Sequence, residues 1–143
     1  MVKFLKLNGL STLYGLHFAI QIELLMNTYR LARVTEMDLA KANTMIGWTV
    51  LLIWIATSFL MYGLTKVLLG SRKIKFWTSV LWIPYAAAVI YAFGSLFPIT
   101  DRGEMPSPVM GLILIGAAFL YPFYIILINM LSFIRSEDVP KSG

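Results

Sequence analysis

Long apolar runs alternate with short charged stretches along the chain, and the lengths of the runs decide the reading. A helix rising 1.5 Å per residue needs ~20 mostly apolar residues to cross a ~30 Å hydrocarbon core. Three runs reach that length without a charge: Met45 to Thr65, Phe76 to Phe97 and Val109 to Ile134. A fourth, Leu10 to Tyr29, is long enough but is interrupted by His17, Gln21, Glu23 and Asn27. The pattern predicts an all-α integral membrane protein. It is expected to be a single transmembrane domain over residues 1–143, a four-transmembrane-helix bundle with spans at about 10–31, 45–66, 76–98 and 108–134. Lys3 and Lys6 ahead of the first run imitate a signal peptide, but Gln21 and Glu23 break its apolar core and no small-x-small cleavage pattern follows. That segment is expected to be retained.

Composition agrees with lipid as the main solvent. Hydrophobic residues make up 59% of the 143 and charged residues 13%, against about 25% charged in an average soluble domain. The net charge of +5 does not point to nucleic acid, because the basic residues sit in short clusters between apolar runs. They read as orientation signals. Lys66, Arg72, Lys73 and Lys75 follow the second run with no acid among them, which assigns that loop to the cytoplasm. Both termini are then cytoplasmic. That side collects eight basic residues (Lys3, Lys6, Lys66, Arg72, Lys73, Lys75, Arg135, Lys141) against four outside (Arg30, Arg33, Lys41, Arg102). The expected location is a cell membrane, with a bacterial or archaeal cytoplasmic membrane as the default. Trp48, Tyr62, Trp77 and Trp82 fall where interfacial aromatics are expected, while Trp54 lies mid-span and should pack against a helix or face lipid tails.

The first span carries the polar chemistry. His17, Gln21, Glu23, Asn27 and Arg30, with Thr28, are expected to share one polar stripe, opposite a surface of Phe18, Ala19, Ile22, Leu25, Met26 and Tyr29. An ionisable group at bilayer depth costs ~2.5–3.5 kcal/mol on insertion scales, so such a stripe turns toward a bundle interior or a wet cavity. Two roles fit it. The first is hydrogen bonding between helices or to a partner, with Arg30 snorkelling to the surface and capping its own helix. The second is a proton or cation relay through His17, Gln21 and Glu23, gated by Arg30. A third arrangement lays the helix flat on the membrane with the stripe in water.

Other features read more plainly. Pro84 and Pro122 interrupt the third and fourth spans and are expected to kink them. Small residues at Ala86 to Ala88, Gly94, Ser95, Gly111 and Gly116 to Ala118 permit close helix contact. Asp101 and Glu104 flank Arg102 in a loop rich in Gly and Pro, which reads as a solvated turn. The basic loop could hold anionic headgroups at ~1 kcal/mol per residue, or do no more than set orientation. There is no cysteine and a single histidine, His17, so thiolate and bis-histidine sites are excluded, and no Gly-rich phosphate loop or nucleophile motif is present. No cofactor, metal or catalytic residue is expected. The functional expectation is a non-enzymatic membrane protein acting through protein contacts in the bilayer: an accessory subunit, or a small protective or regulatory protein. Its partners would be lipid and another membrane protein or a second copy. The alternative is a small homo-oligomeric transporter or proton/cation-conducting protein that uses the stripe.

Overall fold

The computed structural model describes residues 1–137, and Lys141, counted above among the cytoplasmic charges, lies outside the described residues. Among the described residues the chain is all-helical, with five α-helices and no strand. They are α1 (Val2–Met26), α2 (Thr28–Val34), α3 (Leu39–Leu69), α4 (Thr78–Leu96) and α5 (Pro108–Glu137). Two 3-10 turns, Lys73–Trp77 and Arg102–Glu104, precede α4 and α5.

Local chemistry sets these boundaries. The first expected span divides in two because side chains intrude on the backbone ladder. Asn27 Nδ2 donates to the Glu23 carbonyl at 2.9 Å and Thr28 Oγ1 to the Leu25 carbonyl at 2.8 Å, which separates α1 from α2. Helix α2 ends in a Schellman turn in which Met37 N–H reaches the Ala32 carbonyl and Glu36 N–H the Arg33 carbonyl. Glu36 occupies the left-handed position at φ 53°, where glycine is the usual residue. The second span is longer than its apolar run, since Asp38 caps α3 through the Ala40 N–H and Gly70, at φ 55°, stops it. Pro108 opens α5, where its missing N–H costs nothing. Helices α4 and α5 run on as helix through Pro84 and Pro122.

The long helices α1, α3, α4 and α5 alternate in direction. His17 meets Trp54 and Gln21 meets Val50, so α3 runs against α1. Trp82 meets Tyr121 and Thr78 meets Asn129, so α5 runs against α4. Helices α1 and α5 each touch all the other long helices, with α3 and α4 on either side of that pair. Three segments are long and apolar enough to cross a membrane: Leu39–Leu69, Lys73–Leu96 and Pro108–Ile134.

The distribution of polarity is inside out. Helix α1 is the most polar of the four long helices and, among the described side chains, also the most buried, with ten buried residues against five in α3, three in α4 and five in α5. Its tightest contact is with α4. A Cβ on Gly15 would stand 2.7 Å from Tyr85 Cβ and 2.8 Å from both Ala86 N and Trp82 O. Ser11, Gly15 and Ala19, four residues apart on one buried face of α1, let the two backbones approach this closely. Meanwhile Phe59, Tyr91, Leu112, Ile115 and Phe119 all project outward.

Candidate functional site

The five polar residues of the expected stripe do not form one surface. At 100° per residue His17 and Gln21 fall about 40° apart, while Glu23, Asn27 and Arg30 cluster on a face roughly 80–180° away from them. The structure keeps this division: His17 and Gln21 turn into the core, and Glu23, Asn27 and Arg30 line a cleft between α1 and α4. The opposite surface, expected to face lipid or to pack, is a packing surface at Phe18, Ala19 and Ile22, all buried.

In the core, His17 Nδ1 lies 2.9 Å from the Tyr121 hydroxyl, which itself donates to the Tyr14 carbonyl at 2.8 Å. A phenol carries one proton, so the Nδ1–H must be the donor to Tyr121. His17 Nε2 then accepts from Gln21 Nε2 at 3.2 Å, and Gln21 also donates to the Val50 carbonyl at 3.4 Å. One neutral tautomer accommodates all of these bonds, and leaves Gln21 Oε1 buried without a donor. Trp54, Tyr121 and Tyr124 surround the imidazole with ring centroids at 5.5, 6.0 and 6.4 Å. Of the two placements expected for Trp54, against a helix or facing lipid tails, the first is found: it packs on His17, Tyr121 and Tyr124. Trp82 is buried against Phe18 and Tyr121 and is not an interfacial side chain.

At the far end of α1, Arg30 does not cap its own helix. Its Nη1 and Nη2 donate to the carbonyls of Phe97 and Pro98 at 3.1 and 2.9 Å, which closes the C-terminus of α4. Its Nε bonds Glu104 at 3.3 Å, and Arg33 pairs with the other carboxylate oxygen. Glu104, only 4% exposed, is thus a buried anion held between two guanidinium groups and not part of a solvated turn. Asp101 stays exposed and caps the Gly103 N–H at 2.8 Å.

The opposite end holds a second correction. Arg72 and Lys73 are exposed and Lys66 is half-buried, but Lys75 is fully buried. Its ammonium donates to the Gly70 carbonyl at 3.1 Å and to Ser132 Oγ at 2.7 Å, and lies 5.1 Å from the centre of the Phe133 ring. Asn129 binds the Lys75 carbonyl and Thr78 Oγ1, each at 3.0 Å. Lys75 thereby ties the end of α3 to α5 and is withdrawn from any headgroup-binding cluster.

Sequence reasoning passed over the Glu104 clamp and the Ser11/Gly15/Ala19 contact. The second had a signal in the four-residue spacing of small residues. The first joins positions 74 residues apart and had none. Among the described residues no three His, Cys, Asp or Glu side chains gather as metal ligands. Comparison with family models, curated proteins and solved structures finds no match for this chain.

Proposed function

We propose that this chain is a multi-pass membrane protein that acts through contacts made inside the bilayer, as an accessory subunit of a membrane complex or as a small protective or regulatory partner. The observation that carries the reading is the inverted polarity of the bundle. Polar side chains of α1 are engaged inside, and the span-length helices turn large apolar side chains outward. Left in water, such a surface would forgo about 25 cal/mol for every Å² of apolar area that lipid or a partner could cover. On this reading α1 is the fourth span, tolerated in the membrane because Tyr121, the Val50 carbonyl and Tyr85 on its neighbours engage His17, Gln21 and Asn8. Lys3, Lys6, Lys66, Arg72 and Lys73 gather at one end, which favours cytoplasmic termini.

The conducting alternative loses the feature that motivated it. His17 is bonded to Tyr121 and Gln21 in the core while Glu23 lies on another face of the helix, which favours the contact reading over a relay through both. The reading is tested by extracting the protein gently from its native membrane, weighing the complex and identifying each subunit. A dominant species containing other membrane proteins is expected. A discrete assembly of this chain alone would overturn the accessory role.

A further inference from the structure

The cleft between α1 and α4 encloses about 410 Å³ beyond the point where Gly15 brings the two helices together. Its walls are apolar, built from Ile20, Leu24, Val89 and Phe93 among others, and Glu23 and Asn27 are set into them. Arg30 closes one end, but all three of its nitrogen groups are engaged by Glu104, Phe97 and Pro98. Among the described residues Glu23 has no ion-pair partner; its only side-chain hydrogen bond comes from Asn27 Nδ2 at 3.1 Å. The same Nδ2 donates to the Glu23 carbonyl, and both partners are acceptors, which fixes the orientation of the amide. Asn27 Oδ1 is therefore an acceptor, and it is buried without a partner in a residue 8% exposed. Glu23 feels the charge of Arg30 but receives none of its hydrogen bonds, and a carboxylate so placed, beside a carbonyl oxygen without a donor in an otherwise apolar cleft, suits a cation that brings several donors and an apolar tail.

We infer that this cleft binds a single-chain lipophilic amine, its ammonium on Glu23 and Asn27 and its alkyl chain along Ile20, Leu24, Val89 and Phe93. A primary ammonium has three donors, enough for the free carboxylate oxygen and for Asn27 Oδ1. A fatty acid would set a second anion against Glu23, and an alkanol would supply one donor and no charge. The inference shares with the proposed function only the placement of α1 in a bilayer, and it stands whether or not a protein partner exists.

The test uses the full chain in nanodiscs of zwitterionic lipid and a dodecylamine carrying a diazirine in its chain, with cross-linked residues mapped by mass spectrometry. Labelling is expected at cleft residues, displaced by dodecylamine and not by equal dodecanol or dodecanoate. Glu23→Gln should weaken it about tenfold or more, the worth of a charged hydrogen bond. Val89→Trp, which fills the cleft and leaves Glu23 in place, should abolish it, so the result does not depend on Glu23→Gln folding normally. Absent labelling overturns the inference. So does labelling spread over outward side chains such as Phe119 and Phe123, or labelling that dodecanol displaces as well as the amine does.

Discussion

Replacing Gly15 with alanine probes the α1–α4 contact on which the bundle is organised. The added Cβ would meet Ala86 N and Trp82 O at 2.8 Å and Tyr85 Cβ at 2.7 Å, whereas ordinary contact begins near 3.4 Å. Two of the three atoms belong to the α4 backbone, so no side-chain rotation relieves the clash and the helices must separate by roughly 0.6 Å. A gap of ~0.5–1 Å forfeits a quarter to a half of each dispersion contact across the seam, where Ser11, Phe18, Ala19, Trp82 and Ala86 are buried. Overpacking of this kind costs about 1–3 kcal/mol. Alanine also gains up to ~1 kcal/mol of helix propensity over glycine, so the comparison needs a helical glycine in open space. Gly116 on α5, with nothing within 4 Å of its would-be Cβ, supplies it. Reversible unfolding in mixed micelles, followed by tryptophan fluorescence, should find Gly15→Ala less stable than Gly116→Ala by about 1–3 kcal/mol. Equal stability of the two variants would refute the close contact.

Further expectations concern the two ends of the bundle. Glu104→Ala should destabilise by about 2–3 kcal/mol, below the full cost of breaking a buried pair because Arg33 is largely exposed; hydrogen exchange should rise over Arg30 to Glu36. A double-mutant cycle of Glu104→Ala with Arg30→Ala should return a coupling of roughly 1–3 kcal/mol, and simple additivity would contradict the ion pair. Amine acylation of the intact protein should modify Lys73 and spare Lys75, which is fully buried; equal modification of both would contradict that burial. Glu36→Gly should stabilise by about 0.5–1 kcal/mol by relieving the left-handed backbone at φ 53°, read as a higher unfolding midpoint.

What the sequence disclosed follows from the range of the interactions concerned. Uncharged runs of span length are a local property, so α3, α4 and α5 were legible with boundaries shifted by a few residues. The caps at Asp38 and Gly70 account for the shift in α3. Helical phase is local too, and it separates His17 and Gln21 from Glu23, Asn27 and Arg30. A single stripe through all five was an expectation that the angular spacing itself does not support. The break at Asn27 was harder to see, since it depends on an amide choosing a backbone carbonyl over an outside partner. Least legible were Lys75 and Glu104. Each reads as a loop charge in the sequence, and each is buried only because residues far along the chain, Ser132 for one and Arg30 with Arg33 for the other, close around it.

In the proposed arrangement α1, the most polar of the long helices, crosses the bilayer as a fourth span beside the three apolar ones. Because the chain has no cysteine, single cysteines at Val2, Thr35, Ser71 and Ser107 can each be probed in sealed vesicles with a membrane-impermeant maleimide. The account predicts that positions 35 and 107 react from one side and positions 2 and 71 only from the other. Reaction of positions 2 and 35 from the same side would contradict it, leaving α1 on the membrane surface with three helices across.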